Sequence, residues 1–457
     1  MTPAARTEAA IGLLDQILSD AEGTKGQAAD RLVAHWFRQR RYAGAKDRAY
    51  IQNVVYSVLR RRAELEWALG HVDVGDAGPR DLVTAALVKD ESLDDAALAE
   101  RFTGTEHAPA PLTDKERAVV ARLRAPAEEP PDWVRGNYPP LLDDPIREVF
   151  GDDAAIELAA LSQRAPVDLR VNTLRGDRDA AVAALAREGI AAQPTPLSPV
   201  GLRLDARANI AGSSAFRDGL VEVQDEGSQL MALLVGAQPG ETVIDWCAGG
   251  GGKSLALAAQ MQNQGRLIAF DVASQRLDAA EHRVARSGAT IIETHPMHDA
   301  ATVLAGLGQG ADRVLVDAPC SGSGAWRRNP AAKWRTTPAT IADYADRQQA
   351  ILARPGRQPG VRHLLPVPPR EPCPGRWLPG LSPRLQARLG RQPLARGHRR
   401  QAALRNAAAA ADSVREQHRR LLHRHPGTET MTQVVVSPSP LAGEGWGGGS
   451  RGCAQRE

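Results

Sequence analysis

The sequence predicts an α/β protein in which a parallel, doubly wound sheet follows an all-helical region. From Glu241 to Gly324, short apolar runs alternate with helical stretches, which is the pattern of successive βαβ units. A glycine run follows the first of these strands and opens a helix, as at the ligand-binding turns of such sheets. The first 125 residues instead carry apolar side chains at helical spacing.

Length and composition exclude several classes of protein. The chain has 457 residues, of which 42% are hydrophobic and 24% charged, as in ordinary globular proteins of two or three domains. No apolar run reaches the roughly 18 residues of a membrane span, and the N-terminus does not resemble a signal peptide. We therefore expect a cytoplasmic protein, without membrane contact, that acts as a monomer.

Cysteine spacing argues against a structural metal or a disulfide framework. The four cysteines are Cys247, Cys320, Cys373 and Cys453, and no two of them form a C-x-x-C pair. Zinc sites and small disulfide-rich folds both show closely spaced cysteines. Any role for these thiols is therefore expected to be individual.

The patterns divide the chain into four regions. Residues 1–128 form a helical domain. Residues 129–220 hold a proline-rich linker and a small α/β accessory module, in which the strands VDLRV and GLRLDA flank the helix DRDAAVAALAREGI. Residues 221–353 carry the parallel sheet with four strands. Residues 354–457 form a tail with 18 arginines, no lysine and 13 of the 32 prolines.

A basic turn, RQRRYAGAKDR, joins two helices of the first region. Its arginines can bind phosphates, and Trp36, Phe37 and Tyr42 beside it can stack on bases. The alternative is that the segment is a solvated connection between helices. The turn by itself does not decide between the two.

The glycine turn of the parallel sheet fits neither common phosphate-binding pattern. The stretch GKS matches the end of a P-loop, but Cys247 stands where the first glycine belongs. A dinucleotide fingerprint needs a third glycine where the chain has Leu255. A looser turn that binds a nucleoside without a pyrophosphate is left, which makes a nucleotide-dependent oxidoreductase the weaker alternative.

Acidic residues follow three of the predicted strands. Asp271 can accept hydrogen bonds from both ribose hydroxyls, and Asp299 from an adenine amino group. For both, the alternative is a plain helix cap. Asp317 ends the fourth strand and can bind a base edge, and Pro319 then leads into Cys320. A deprotonated thiol is a strong nucleophile, whereas a lone buried cysteine is usually structural.

Taken together, these stretches resemble a known family. The chain is similar to the RsmB/NOP/Sun class of RNA cytosine-5 methyltransferases in VIDWCAGGGGKSLALAAQM, AFDVASQRL, DRVLVDAPCSGSGAWRRNPAAKWR and FRDGLVEVQDEGSQL. Its helical region, with DRLVAHWFRQRRYAGAKDRAYIQNVVYSVLRRR, is similar to the NusB-like RNA-binding domain of bacterial RsmB-type small-subunit rRNA methyltransferases. The resemblance implies a Rossmann-like methyltransferase fold, S-adenosyl-L-methionine as methyl donor and 16S-type rRNA as partner.

The resemblance also implies roles for individual residues. Catalysis falls to Cys320 and Asp317. The residues expected to bind the cofactor are Cys247, Ala248, Gly249, Gly250, Gly251, Gly252, Lys253, Asp271, Asp299 and Asp317. In this family the turn usually contains a proline where this chain has Gly250, so a looser turn is expected.

The chemistry of the family uses two thiols. Carbon 5 of cytosine is too weak a nucleophile to take a methyl group until a thiolate adds to carbon 6. Loss of the carbon-5 proton then expels the thiol. The resemblance implies that Cys320, in the P-C motif, assists this release, and that the attacking thiol belongs to a T-C-S motif. No T-C-S occurs in the chain.

A shifted reading frame accounts for the missing motif. Back-translation of HLLPVPPREP, from His363, permits TCSLFPREN one base later. The alternative is a divergent, disordered, arginine-rich tail that binds RNA. On either account Cys373 is not the nucleophile, and we expect the sheet to end after its fourth strand. The competing function is then a protein that binds RNA and cofactor without turnover.

Overall fold

A computed structural model describes residues 1–21, 27–70, 74–125, 129–307, 310–353 and 433–436. The expectations for the rest of the tail, including Cys373 and the stretch from His363, lie outside the described residues. Among the helices within these ranges, none is both long and apolar enough to cross a bilayer.

The N-terminal region is helical, as predicted. Its helices are α1 (Pro3–Ala21), α2 (Ala29–Gln39), α3 (Ala45–Leu69), α4 (Pro79–Asp90), α5 (Asp95–Arg101) and α6 (Asp114–Arg124). Their apolar stripes meet in one core, where Leu13, Leu14 and Leu82 are fully buried. Thr113 and Glu116 form a capping box that begins α6.

The accessory module contains an antiparallel sheet. The elements here are α7 (Asp132–Arg135), α8 (Asp143–Phe150), α9 (Ala154–Ser162), β1 (Asp168–Val171), α10 (Arg178–Arg187), β2 (Ala192–Pro194), β3 (Gly201–Leu204), α11 (Ser214–Arg217) and β4 (Val221–Val223). The strand order is β2-β3-β1-β4, with every pair antiparallel.

The structure moves one predicted boundary. The sequence pattern predicts that the parallel-sheet region starts at residue 221. In the structure, Val221–Val223 pairs with β1 and so completes the accessory sheet. A three-residue strand gives too little pattern to show which sheet it joins. Its partner lies about fifty residues earlier in the chain, so only tertiary pairing assigns it.

The parallel, doubly wound sheet is confirmed. Its elements are α12 (Glu226–Val235), β5 (Thr242–Asp245), α13 (Gly252–Gln260), β6 (Arg266–Asp271), α14 (Ser274–Ser287), β7 (Ile292–Pro296), α15 (Ala300–Ala305), β8 (Arg313–Val316), α16 (Pro330–Lys333), α17 (Pro338–Ala353) and β9 (Gln433–Val436). The strand order is β7-β6-β5-β8-β9. Successive side chains of β5 pack on opposite faces, Val243 in one apolar cluster and Ile244 in the other.

The expectation that the sheet ends after its fourth strand is wrong. β9 pairs in parallel with β8, from Arg313 opposite Gln433 to Val316 opposite Val436. An unpaired β8 edge would expose a row of backbone N–H and C=O groups, and the run QVVV has the β-branched residues that favour a strand. The prolines of the tail disfavour strands, but this short valine run contains none of them.

Candidate active site

The candidate site lies where the carboxyl ends of β5, β6 and β8 meet. The chain passes from β5 to β6 on one side of the sheet, while β8 borders β5 on the other. Ligands of doubly wound sheets bind at such a switch in strand order. Side chains and backbone from Asp245, the glycine turn, Asp271 and Asp317 therefore converge there.

The glycine turn after β5 has a conformation that requires glycine. The Ala248 carbonyl accepts a hydrogen bond from the Gly251 N–H at 2.9 Å. Gly249 and Gly251 have φ angles of +54° and +75°, a region that L side chains rarely enter. A Cβ atom on Gly251 would also lie 3.0 Å from the Cβ of Ala280. Because these two residues have no side chain, the backbone of the turn before α13 is not covered by their Cβ atoms.

Asp271 fastens this turn to the end of β6. Its Oδ2 accepts a hydrogen bond from the Gly249 N–H at 2.9 Å, and its Oδ1 accepts one from the Ala273 N–H at 2.8 Å. The side chain is buried, and the residue at the N-cap of α14 is Ala273, not Asp271. Each carboxylate oxygen can accept a second hydrogen bond. Ribose binding by Asp271 stays a prediction.

Asp299 lies farther out than Asp271. It ends a short 3₁₀ turn after β7, and its side chain is 50% exposed, with Oδ1 3.6 Å from the Nε2 of His298. Within the described structure its carboxylate caps no amide of α15. The plain-cap alternative therefore lacks its hydrogen bond, and adenine binding by Asp299 stays a prediction.

A buried ion pair joins the glycine turn to β8. The Lys253 ammonium, at the start of α13, donates to Oδ2 of Asp317. Lys253 is 8% exposed and the Asp317 side chain 15%. The other oxygen of Asp317, Oδ1, is buried without a hydrogen-bond partner among the described residues. The pair thus presents an unsatisfied acceptor to the site.

Asp245, the last residue of β5, also lies at the candidate site but was not predicted from the sequence. Its Oδ2 accepts a hydrogen bond from the Ser254 hydroxyl at 2.7 Å, whereas its buried Oδ1 has no partner among the described residues. Burial raises the pKa of Asp245 to about 7, and the negative charge of Asp317 acts in the same direction. The strand-end rule that selects Asp271 would have selected Asp245 as well.

The two described thiols are protonated at neutral pH. Cys320 is 9% exposed, and its Sγ accepts a hydrogen bond from the Gly322 N–H at 3.4 Å. Burial raises the pKa of the Cys320 thiol. Burial, followed by the charges of nearby carboxylates, raises the pKa of Cys247 to about 12. A protonated thiol is a weak nucleophile.

A second missed feature connects the accessory sheet to the turn. Nη1 of Arg283, on α14, donates to the Gly250 carbonyl at 2.6 Å. The same guanidinium donates through Nη2 to Oε2 of Glu222 on β4 at 3.0 Å, and Glu222 also pairs with Arg286. Glu222 is 2% exposed. These contacts join segments far apart in the chain, so no local pattern reveals them.

The stacking role predicted for two aromatics of the first region is wrong. Trp36 and Phe37 are each only 4% exposed, because they lie on the face of α2 that packs into the helical core. The Arg40 guanidinium lies 4.0 Å from the centre of the Trp36 ring. Tyr42, in the basic turn, is 71% exposed and can still reach a base.

Comparison with known families agrees with this architecture. Residues 232–356 match the model described as 16S rRNA methyltransferase RsmB/F. Residues 138–211 match the ferredoxin-like domain of RsmF/B-like methyltransferases, which covers much of the accessory module. The two matches lie in the order that the motifs predicted.

Individual relatives match the chain over longer stretches. The chain is 32% identical over 338 residues to ribosomal RNA small subunit methyltransferase B of Sodalis glossinidius, covering 67% of this chain and 74% of that protein. It is 32% identical over 294 residues to the Xanthomonas campestris protein of the same name, covering 62% and 67%. A crystal structure of PH0851 shares the fold, with a TM-score of 0.57 and 21% identity over 77% of this chain and 83% of that one. The chain therefore belongs to the RsmB/F family of 16S rRNA methyltransferases.

Proposed function

We propose that this chain is built as an RNA cytosine-5 methyltransferase that uses S-adenosylmethionine and acts on small-subunit rRNA. The observation that carries the proposal is the placement of Asp317 and Cys320 at the carboxyl end of β8, beside the glycine turn that Lys253 and Asp317 bridge. Membership in a 16S rRNA methyltransferase family supports the choice of substrate.

The site suits S-adenosylmethionine in charge and in hydrogen bonding. Buried Oδ1 atoms of Asp245 and Asp317 lack donors among the described residues. The ligand has an ammonium, an amino group and ribose hydroxyls to donate, and its positive charges favour carboxylates. We assign the ribose to Asp271 and the adenine amino group to Asp299. When bound, the cofactor supplies an electrophilic methyl group on a sulfonium.

The chemistry on the base needs one thiol to attack and another group to assist release. The target cytosine is flipped out of the RNA into the space beside Asp317. A thiolate bonds to carbon 6 and makes carbon 5 nucleophilic. After methyl transfer, a general base would accept the carbon-5 proton, and the electron pair of that C–H bond would restore the double bond between carbons 5 and 6. The bond between carbon 6 and sulfur would break, and the thiolate would leave with its electron pair. The raised pKa of the Cys320 thiol argues against Cys320 as the attacking group, because a protonated thiol attacks poorly.

A second function, binding without turnover, is favoured by one observation on this particular chain. No T-C-S motif occurs in its 457 residues. Cys247 does not replace the missing thiol, because its pKa of about 12 leaves almost no thiolate at neutral pH. We therefore propose that the chain as it stands binds cofactor and RNA but transfers no methyl group.

Measurements of methyl transfer and of cofactor binding distinguish a methyltransferase from a protein that binds without turnover. The full chain is incubated with labelled S-adenosylmethionine and unmodified small-subunit rRNA, and cofactor binding is measured by calorimetry. We expect binding without transfer. A chain translated one base later from His363 is the matched variant and should regain transfer to carbon 5. Transfer by the original chain that Cys320→Ala abolishes would show that Cys320 is the attacking thiol and refute its assigned role.

A further inference from the structure

Four cationic side chains gather where α3, α16 and the accessory module meet: Arg60, Arg164, Arg207 and Lys333, here called the basic seam. The Lys333 ammonium donates to the Ser162 hydroxyl at 2.9 Å and to the Arg60 carbonyl at 3.5 Å. These bonds bring together α16, the end of α9 and α3. Arg164 follows α9, and Arg207 lies in the loop after β3.

The hydrogen bonds of Lys333 hold Arg60 near Ser162, two residues before Arg164, and burial and then like charge lower the pKa of the guanidinium groups there. After burial, the charges of Arg164 and Arg207 lower the pKa of Arg60. Burial and then the charge of Arg207 lower the pKa of Arg164. Arg164 and Arg207 are nevertheless exposed, so a ligand can reach both. The fold thus holds like charges together at an accessible junction.

The basic seam lacks matching negative charge. Within the part of the chain that the structure describes, no carboxylate forms an ion pair with Arg164, Arg207 or Lys333. Nε of Arg60 is buried and has no hydrogen-bond partner among those residues. Asp30, whose charge favours protonated Arg60, already accepts a hydrogen bond from the Tyr56 hydroxyl.

Neighbouring arginines show that pairing is the usual arrangement on this helix. Arg61 and Arg62, the next two residues of α3, pair with Glu64 and Glu66. The shortage of carboxylates is therefore a property of the seam and not of the whole helix. Unpaired guanidinium groups at one place form a site for a bidentate anion.

We propose that the basic seam binds backbone phosphates of the RNA substrate. Lys333 of the seam lies on α16, which follows the Cys320 loop in the chain. The inference deepens the proposed function and rests on it, because it names where that RNA is held. Phosphate contacts fix position without reading sequence, so binding here should be insensitive to base identity.

The test removes the two exposed cations of the seam. The full chain and its Arg164→Gln/Arg207→Gln variant are titrated with fluorescein-labelled single-stranded RNA by anisotropy at several salt concentrations. Each phosphate contact on a single strand contributes about 0.7 to the slope of log K against log salt. We expect a slope about 1.4 shallower and a Kd raised roughly tenfold at about 0.1 M salt.

The matched control removes two arginines elsewhere in the accessory module. Arg187, on α10, and Arg217, on α11, lie near the Glu188 carboxylate, whose pKa their charges help to lower. Arg187→Gln/Arg217→Gln makes the same change in net charge, and we expect its Kd to stay within about twofold of the parent chain. An equal loss in the control would overturn the proposal, because general charge would then explain the effect.

Other outcomes are equally decisive. An unchanged salt slope in the seam variant would overturn the proposal. Unchanged thermal unfolding and unchanged S-adenosylmethionine binding in that variant, together with the lower slope, would support it. If the parent chain shows the slope but binds no S-adenosylmethionine, the proposed function fails while the seam stands.

Discussion

Arg283→Gln tests whether the accessory sheet holds the cofactor turn in place. The Arg283 guanidinium donates to the Gly250 carbonyl at 2.6 Å and to Glu222 on β4 at 3.0 Å. The glutamine side chain is shorter and uncharged, so it loses both contacts. Gly250 follows a glycine in the left-handed region, and the turn then has one fewer restraint that keeps it in the conformation described above.

The structure sets the size of the expected effect. A hydrogen bond from a charged donor contributes about 1.5–3 kcal/mol, and the 27% exposure of Arg283 places it at the lower end. About 1.5 kcal/mol corresponds to a roughly tenfold weaker affinity for S-adenosylmethionine. Glu222 keeps Arg286 as a partner, so the loss of stability should be about 1–2 kcal/mol and not the 3–5 kcal/mol of an abandoned buried charge.

Arg286→Gln is the matched control. It removes a second ion pair with the same Glu222, and its stacking 3.8 Å from the Phe216 ring, but it leaves the contact between Arg283 and the turn. Calorimetric titration with S-adenosylmethionine and urea unfolding should show similar losses of stability in both variants, with weaker binding only in Arg283→Gln. Equal weakening in both variants, or none in Arg283→Gln, would refute the reasoning.

Three further predictions concern stability. Burial lowers the pKa of Lys333 to about 7, so from there to about pH 10.5 the unfolded chain binds the additional proton and stability rises with pH. The free energy of unfolding of the parent chain should rise by up to about 1.4 kcal/mol per pH unit in that range relative to that of Lys333→Met. Parallel plots of unfolding free energy against pH for the two proteins would contradict this. Lys253→Met leaves Asp317 without its buried cation and should lower the free energy of unfolding in urea by about 3–5 kcal/mol. Adding Asp317→Asn to this variant should restore part of that stability. No recovery in the double variant would show that the ion pair is unimportant for stability. Gly219→Ala and Gly189→Ala start from the same φ of +73°, but the new Cβ lies 2.2 Å from a carbonyl of α14 at Gly219 and meets nothing within 4 Å at Gly189. Gly189→Ala should cost about 1 kcal/mol and Gly219→Ala at least about 2 kcal/mol more in thermal or urea unfolding, and equal losses would show that the contact with α14 is not tight.

Much of the fold follows from local patterns. β5, β6 and β8 each contain a short apolar run that is followed by an acid, and the helices of the first region keep an apolar stripe along their length. β4 and β9 escaped prediction, although the four-residue strands β5 and β8 were predicted. β4 and β9 are recognised through their pairing, and their partners are remote in the chain.

The candidate site also contains residues that local patterns predict and residues that only tertiary contacts reveal. Asp271 and Asp317 could be predicted, because strand ends are visible in sequence and parallel strands end on one edge of the sheet. Arg283 could not, because its contacts with Gly250 and Glu222 join three segments with no shared pattern. The burial of Trp36 also depends on which face of α2 meets the core.

The sequence by itself determined the order of the elements, the family and the positions of the strand-end acids and Cys320, since each depends on neighbouring residues. The tertiary structure decided which charges are paired and which thiols are protonated. It also completed the sheet with β9 and joined α16 to α3 and to the end of α9 through the hydrogen bonds of Lys333. Charge pairing and burial depend on distances between remote residues, and those distances exist only after the chain has folded.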